Sequence, residues 1–390
     1  MAINLSRNTR LWVSTVNTGH DNSNTFEIPV QDGYSLSQGV STSDVSVEEA
    51  GPTPARGSRR FNESQDPVDW SFNTYMNPYF STNTYLVDMI MWQALANAKG
   101  AAADFSAGSG TVTGTPSQFS IDFTNNSAHE LVSLYLYFKI DNQTYLVSDA
   151  QVSQAEVSVD IADIGMTAWS GQGLKYSPIA NPTFMDSDGA NGLAYVNTAG
   201  TADKYVKIGV GKEYLINKLT IMELNSDASG SGNSTFNNYA IPITGASVTI
   251  NNNITYLTPS TLSEVDSPIG SYTGSFDVSG SVEAYLKDNP GATGAIGGGN
   301  EYSSAELLEH MLGGVSTSVT NAANLVLYIG GKGASTQQAI ITIPNAQLSV
   351  PEVSVDDVVS TSFEFKGIPQ DANMLSGDEI TIDFKHSSSV

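Results

Sequence analysis

The sequence has 390 residues, which is long for one hydrophobic core and sufficient for two domains. Its 40 acidic and 16 basic residues give a net charge of −24, and such a surface repels the phosphates that nucleic-acid-binding proteins contact. The lack of cysteine excludes disulfides, thiol catalysis and cysteine metal sites. No apolar run approaches the roughly 20 residues of a membrane span, and the first residues lack the apolar segment of a signal peptide. We therefore expect synthesis and folding in a cytoplasm.

Alternation of apolar and polar residues runs through most of the chain and predicts β-strands with one buried face. The strands predicted from this period are 10–16, 26–36, 68–76, 132–140, 144–148, 150–160, 215–224, 239–250, 272–280, 324–330, 338–343 and 346–356. Turn-rich segments separate these strands, as in an all-β sandwich or barrel.

Two segments depart from this period and are predicted to be helices. From Leu86 to Leu95 apolar residues recur at helical spacing after a cluster of Ser, Thr and Asn that can supply the N-cap. The pattern returns from Leu307 to Leu312, where Ser303 and Glu306 have the spacing of a capping box and Gly313 ends the helix. We expect each helix to pack against one face of a sheet.

An internal repeat predicts the organisation of the chain. Residues 150–160 (AQVSQAEVSVD) and 346–356 (AQLSVPEVSVD) are identical at eight of eleven positions. Further pairs follow in the same order: Leu11–Val13 with Leu219–Ile221, Ile28–Pro29 with Ile241–Pro242, Ser71–Phe72 with Ser275–Phe276, Leu136–Tyr137 with Leu327–Tyr328, and Trp169 and Gly171 with Phe365 and Gly367. The preserved order indicates a duplication, although β sequence rich in Ser, Val and Gly also matches itself readily.

The predicted fold is therefore mainly β, with two tandem β-sandwich or barrel modules, each carrying one packed helix and a long loop. The first module covers residues 1–175, a linker or insertion covers 176–210, and the second module covers 211–390.

No catalytic or metal-binding constellation is evident in the sequence. The four histidines lack metal-ligand spacing, and no nucleophile-elbow motif occurs. The segment Gly209–Lys212 lacks the first glycine and the Ser or Thr of a phosphate-binding loop. We expect no catalytic residues, no metal and no cofactor, although the many carboxylates leave open the acid/base pair of a carbohydrate-active enzyme.

Two groups of polar residues stand out. One group alternates with valines in the repeated strand and consists of Glu156, Ser158, Asp160, Glu352, Ser354 and Asp356. The other is the arginine cluster Arg56, Arg59 and Arg60, in a polar segment that is too long for a simple turn. All five arginines of the chain occur by residue 60.

Two stretches resemble the tail tube proteins of long-tailed bacteriophages. They are Asp69–Pro78 (DWSFNTYMNP), with a helix after it, and Ala155–Gly173 (AEVSVDIADIGMTAWSGQG). The resemblance covers about residues 5–175 and reaches the second half through the repeat, as in members with two tube modules per chain. It implies that three chains form a ring of six similar modules, and that stacked rings form the tube for ejection of DNA and the tape measure protein.

The resemblance also implies partners and a location. The tube would contact the tail terminator and the distal tail or baseplate proteins, in a virion tail that assembles in the host cytoplasm without a membrane. Because the second repeat runs almost to the last residue, we expect the chain to lack the immunoglobulin-like decoration domain of larger members.

Under this hypothesis the six polar residues of the repeated strand face the lumen, where carboxylates repel DNA as it passes without specific binding; an outer solvated face is the alternative. The arginine cluster is expected to pair with carboxylates between stacked rings. A solvated loop and contact with DNA are the alternatives for the cluster. For the whole chain, a non-viral structural or adhesive β-repeat protein and a β-sandwich carbohydrate-active enzyme remain alternatives.

Overall fold

The computed structural model describes residues 9–20, 24–46, 57–78, 88–97, 117–123, 130–141, 143–161, 163–180, 182, 214–225, 239–258, 267–286, 295–296, 299–300, 322–332, 337–349, 352–355, 359–370 and 378–386. All statements about structure below concern these residues.

Strands make up most of the described chain, as predicted. The strands of the first half are β1 (Thr9–Ser14), β2 (Thr25–Ile28), β3 (Ser35–Ser46), β4 (Ser58–Tyr75), β5 (Ser117–Asp122), β6 (Leu134–Ile140), β7 (Gln143–Asp160), β8 (Met166–Gly173) and β9 (Lys175–Ile179). Those of the second half are β10 (Ile221–Asn225), β11 (Tyr239–Asn251), β12 (Ile254–Leu257), β13 (Gly270–Thr273), β14 (Asp277–Tyr285), β15 (Ala295–Ile296), β16 (Gly299–Asn300), β17 (Ala322–Ile329), β18 (Gln338–Leu348), β19 (Glu352–Val355), β20 (Val359–Gly367) and β21 (Thr381–His386).

Helix α1 spans Met89–Ala96, which confirms the helix predicted near Leu86–Leu95. The helix predicted at Leu307–Leu312 lies outside the described residues. The single strand predicted at 26–36 is broken into β2 and β3, with Gly33 between them in a left-handed conformation (φ +100°) that favours glycine.

Eight strands, together with the end of β18 beside β20, form one antiparallel sheet that runs through both halves of the chain. This sheet, called the shared sheet, has the order β19–β20–β14–β11–β7–β8–β4–β3. The two halves meet where β11 pairs with β7, so the junction is an ordinary strand ladder within the sheet.

Each half adds a second sheet. The first flanking sheet has the order β2–β1–β6–β7–β9. The second flanking sheet has the order β11–β10–β17–β18–β21–β5. Strands β7, β11 and β18 are long enough to pair in a flanking sheet with one part and in the shared sheet with the other.

The hydrophobic core lies between the shared sheet, the flanking sheets and α1. In the first half, Phe72 of β4 packs edge-on against Phe138 of β6, with ring centroids 6.4 Å apart. All eight residues of α1 are buried, and Trp92 contacts Trp169 of β8 at a centroid distance of 4.7 Å. One face of the shared sheet is therefore covered, and the other is left to solvent.

Corresponding strands of the two halves place an aromatic residue opposite a glycine, with the two residue types exchanged between the strands. In the first half Leu36, Trp70, Gly171 and Val152 lie opposite one another in successive strands. In the second half the row is Val248, Gly280, Phe365 and Leu348. A methyl group on either glycine would lie 2.1 Å from a backbone oxygen of the next strand, and the opposite aromatic ring fills the space that the glycine leaves.

This register corrects four of the predicted repeat pairs, and one of them is Leu136–Tyr137, whose equivalent is Leu325–Val326 rather than Leu327–Tyr328. Met222, opposite Ile241, has the position of Leu11, opposite Ile28, whereas Leu219 lies in a 3-10 turn. Similarly, the equivalent of Ser71–Phe72 is Ser281–Val282 rather than Ser275–Phe276. Gly171 aligns with Phe365 rather than with Gly367. The connection after β7 is two residues longer than the one after β19, since Glu156 lies opposite Ala168 and Glu352 opposite Ser362.

The long polar segment of the first half is largely a β-hairpin rather than a loop. Residues 40–46 of β3 pair with residues 58–65 of β4, beyond the point where β4 leaves β8 at Val68. We call this projection the arm; its tip, residues 47–56, lies outside the described residues.

The corresponding segment of the second half forms the hairpin β12–β13 and folds back onto the first half. The Tyr256 hydroxyl donates to the carbonyl oxygen of Asp149 at 2.5 Å, and the Ser271 hydroxyl donates to Oε1 of Gln151 at 2.9 Å. The segment that projects as the arm in the first half thus corresponds, in the second half, to a hairpin that contacts the first half.

Two other strands bear on the predicted division of the chain. Strand β9 pairs with β7, so ordered structure of the first half reaches Ile179, while residues 183–213 lie outside the described residues. Strand β5 crosses to the second half and pairs with β21, where the Ser120 hydroxyl donates to the Asp383 carboxylate. The halves are thus interlocked as well as joined at the β7–β11 ladder.

Candidate assembly surfaces

The first copy of the repeated strand has the predicted orientation. In β7, Val157 and Val159 are buried, Glu156 and Ser158 on the opposite face are partly exposed, and Asp160 is exposed. In β19, Glu352 and Ser354 are exposed, but Val353, which was predicted to be buried, is exposed as well, and Asp356 lies outside the described residues. Alternation along an extended strand places these polar side chains on the uncovered face of the shared sheet.

The uncovered face carries carboxylates on five of its eight strands, in both halves of the chain. Because directly paired residues share a face, the register assigns to it seven carboxylates: Asp69, Glu156, Asp160, Asp277, Glu283, Glu352 and Glu364. Among the described residues of this face the basic side chain is Lys366, whose Nζ lies 2.6 Å from Oδ1 of Asp277. Ser and Thr occupy many of the remaining positions, as in the Ser247–Ser281 hydrogen bond of 3.0 Å. The face is thus largely polar and negative.

The arm separates the arginines of the predicted cluster. Arg60 lies opposite Asp44, and its guanidinium donates two hydrogen bonds to that carboxylate, at 2.8 and 3.0 Å. The interaction lowers the pKa of Asp44. Since both groups are solvent-exposed, the pair fixes the hairpin register more than it adds stability.

Arg59 points to the other face of the arm, because successive residues of a strand alternate. It lies opposite Val45, next to Phe61, and these two apolar side chains are 48% and 52% exposed. No carboxylate of the described residues forms an ion pair with Arg59. This face of the arm, with Val45, Arg59 and Phe61, has the mixed apolar and arginine composition of protein interfaces. Arg56 lies outside the described residues.

Sequence reasoning missed the two apolar residues of the arm. Phe61 follows Arg59 and Arg60 in a segment that is otherwise polar, and Val45 lies in a Ser-rich segment. An isolated aromatic in a polar segment was the available signal, but only the hairpin register brings it next to Val45.

The shared sheet ends in two edge strands. In the described part of the chain, β3 pairs only with β4, and β19 pairs only with β20. The outer backbone groups of both strands are therefore available to another strand.

One buried carboxyl has a strongly shifted pKa. Asp88 precedes α1 and accepts a hydrogen bond from Nε1 of Trp92 at 3.2 Å. Burial raises its pKa to about 7, although hydrogen bonds from Trp92 and Thr74 act in the opposite direction. It is buried at the N-terminal end of α1.

The described residues contain no cluster of His, Cys, Asp or Glu that could hold a metal ion. Within the same residues, no helix has the length and apolar character needed to span a membrane.

An acidic sheet face, open sheet edges and a projecting arm are typical of a structural subunit that assembles with copies of itself. No family model matches the sequence. The chain is, however, 38% identical over 384 residues to tail tube protein pb6 of Escherichia phage T5. The aligned region covers 97% of this chain and 75% of the relative. The chain therefore belongs to the tail tube proteins of long-tailed phages, a family of structural proteins.

Proposed function

We propose that three chains close into a ring of six similar modules, and that stacked rings form the conduit for DNA and the tape measure protein. The observation that carries this proposal is the 38% identity to a tail tube protein along almost the whole chain. The tail terminator and the distal tail or baseplate proteins would contact the two ends of the tube. The chain would thus reside in the virion tail after assembly in the host cytoplasm.

The strand pairing supports two modules per chain. The sets β7–β8–β4–β3 and β19–β20–β14–β11 have the same order, and each carries an aromatic–glycine pair at the same place. We retain the division into a first module at 1–175, a connection at 176–210 and a second module at 211–390, with β9 extending the first module.

We assign the lumen to the acidic face of the shared sheet, with Glu156, Ser158, Asp160, Glu352, Ser354 and Asp356 on the wall. The flanking sheets and α1 cover the other face, so in a closed ring those layers lie outside and the acidic face lies inside. Carboxylates there repel DNA phosphates, which allows a duplex to move without being held.

Electron microscopy of the purified, concentrated protein tests the proposed assembly. We expect rings with threefold symmetry and six similar lobes, stacked into tubes, with the acidic face of the shared sheet on the lumen side. A ring of six chains would contradict the three-chain arrangement. A protein that stays monomeric under conditions in which tubes of its relative assemble would contradict the proposed function.

The arm is proposed to contact the next ring. Stacking acidic rings brings like charges together, so a projection that presents arginine to an acidic neighbour reduces repulsion and sets the register between rings. Val45 and Phe61 add apolar surface, of which about half is exposed in the isolated chain.

Replacing Arg56, Arg59 and Arg60 together with serine is expected to leave the subunit folded and to weaken stacking, as measured by sedimentation of tubes. High salt should weaken stacking of the unmodified protein as well, because exposed ion pairs are screened. The single change Arg59→Ser should account for more of the loss than Arg60→Ser, since Arg60 already pairs with Asp44. The control is Lys218→Ser, which removes a positive charge outside the arm. Normal stacking of the triple variant at ordinary salt would rule out this role.

A further inference from the structure

Exposed apolar side chains are concentrated at one end of the first half. Four of those in the described part of the chain lie together there, and we call them the end patch: Tyr75, Ile161, Tyr214 and Ile216. Their exposed fractions range from 41% to 62%. A single exposed apolar side chain is ordinary, whereas a contiguous group marks an interaction surface.

Backbone hydrogen bonds hold the segment before β10 against this end of the first half. The amide of Leu215 donates to the carbonyl oxygen of Met76 at 3.3 Å, and the amide of Gly165 donates to the carbonyl oxygen of Leu215 at 2.9 Å. Leu215 is buried, so its neighbours Tyr214 and Ile216 point outward. The exposure of these two side chains therefore follows from the way the segment is held.

Further contacts join the four residues of the end patch into one surface. The ring of Tyr214 lies edge-on to that of Tyr75, with centroids 5.5 Å apart. Ile216 forms a β-bridge with Ile164, and Ile161 lies three residues earlier in the same connection between β7 and β8. The end patch is therefore built by the end of β4, the β7–β8 connection and the segment before β10.

Strand β4 separates the arm from the end patch. The arm contains residues 58–65, at the start of the strand, whereas Tyr75 is its last residue. At about 3.3 Å per residue, this part of β4 extends roughly 20 Å beyond the shared sheet. In rings stacked with one orientation, opposite ends of the subunit meet, so the arm of one ring lies on the side of the end patch of the next. Such a head-to-tail contact repeats from ring to ring.

The chemistry of the end patch matches that of the arm. Asp160 and Asp163 are exposed on either side of Ile161, and each carboxylate accepts a hydrogen bond from the next backbone amide. Lys218 adds one positive charge nearby, so these three residues together remain negative. The arm presents Arg59 beside the exposed Phe61. An aromatic and an arginine on one side therefore meet apolar side chains and carboxylates on the other.

We infer that the end patch binds the arm of a chain in the neighbouring ring, with Phe61 on its apolar side chains and Arg59 beside Asp160 and Asp163. The occupant is a second copy of this chain, because the complementary element lies at the other end of the same strand. The inference rests on the proposed assembly and names the surface to which the arm binds.

The match between arm and end patch is one to one. Within the described residues the chain has one projecting arm, because the corresponding hairpin β12–β13 is held against Asp149 and Gln151 of the first half. The end patch also occurs once per chain, since the segment carrying Tyr214 and Ile216 follows the connection between the halves. Successive three-chain rings are therefore related by a rotation that is fixed to within thirds of a turn, not sixths.

A charged substitution tests the end patch. Ile216→Asp should leave folding and ring formation unchanged, because this side chain is already exposed, and most of the sedimenting tubes should be lost. Ile269→Asp is the matched control, since Ile269 is 53% exposed and lies in the other hairpin, just before β13. Stacking by Ile216→Asp at the level of the control would overturn the inference. An equal loss in both variants would assign the contact to the hairpin β12–β13 and would overturn it as well.

An exchange of charges tests the pairing of Arg59 with the carboxylates. Arg59→Asp and Asp163→Arg should each weaken stacking, because each places like charges together. The double variant should recover part of the stacking, since the ion pair is restored with its ends exchanged. A double variant that stacks no better than the weaker single variant would contradict this pairing.

Cross-linking with a bismaleimide tests which module the arm reaches, because the chain has no cysteine of its own. Phe61→Cys with Ile216→Cys should link chains of successive rings in stacked tubes, in a covalent series that continues beyond three chains. Phe61→Cys with Tyr285→Cys is the comparison, since Tyr285 has in the second half the position of Tyr75 and should link poorly.

The outcomes separate the inference from the proposed function. Equal linking of the two pairs would show that rings stack in sixths of a turn, and stronger linking at Tyr285 would place the arm on the second half; either result overturns the inference while the tube remains. Unmodified protein that forms no stacked rings would contradict the proposed function, and the inference with it.

Discussion

Alanine at Gly171 is expected to lower the free energy of unfolding by about 3 kcal/mol. The added methyl group would lie 2.1 Å from the carbonyl oxygen of Gln151 and 2.5 Å from the indole of Trp70. The backbone oxygen is held by the β7–β8 ladder, and Trp70 is a fully buried side chain of the core. Relief of the clash therefore requires separation of two strands of the shared sheet.

Urea unfolding followed by tryptophan fluorescence measures this effect as a lower midpoint. Gly280→Ala should behave similarly, because its methyl group would lie 2.1 Å from the carbonyl oxygen of Ser247. Gly57→Ala is the control, since no atom lies within 4 Å of the added methyl group. An unchanged midpoint for Gly171→Ala would show that the strands adapt, and the packing explanation would then be wrong.

Asparagine at Asp88 is expected to stabilise the protein at pH 8 by about 2–4 kcal/mol. Burial raises the pKa of this carboxyl to about 7 from an ordinary value of 3.8, so the folded protein binds the proton more tightly than the unfolded chain does. The stability linked to the protonated carboxyl is complete below about pH 4 and is lost as the pH rises to about 7. Asparagine keeps an oxygen that can accept from Trp92 and never ionises.

Thermal unfolding from pH 4 to pH 8 provides the measurement. The difference between Asp88→Asn and the unmodified protein should be smallest at pH 4 and largest at pH 8. Glu283→Gln, on the exposed face of β14, serves as a control for loss of one negative charge. A difference that is constant across this range would show that Asp88 titrates normally.

Local periodicity predicted α1 and many of the strands in both halves, but it did not predict β5, β8, β9, β12, β20 or β21. The period of two also identified which face of β7 carries Glu156 and Ser158, because alternation depends only on extended backbone. It overestimated the continuity of strands where a turn interrupts an apolar pattern, as at Gly33.

Registers and long-range contacts were less accessible from the sequence. Alignment of the repeat misplaced Gly171 by two positions, because loop lengths change without altering the strand pattern. The arm was predicted as a loop, since polar side chains on both faces of a hairpin give no apolar alternation. The arginines appeared as one cluster, but strand geometry sends Arg59 and Arg60 to opposite faces. The assignments of a lumen and of contacts between rings remain predictions, because they concern other copies of the chain.

Because β5 pairs with β21, this part of the fold can form only late in the synthesis of the chain. Ser120 and Asp383, which contact each other across this ladder, are separated by 263 residues. At a translation rate of about 5–20 residues per second, β5 waits roughly 10–50 seconds on the ribosome for its partner strand. The second flanking sheet is therefore completed only when translation has passed β21.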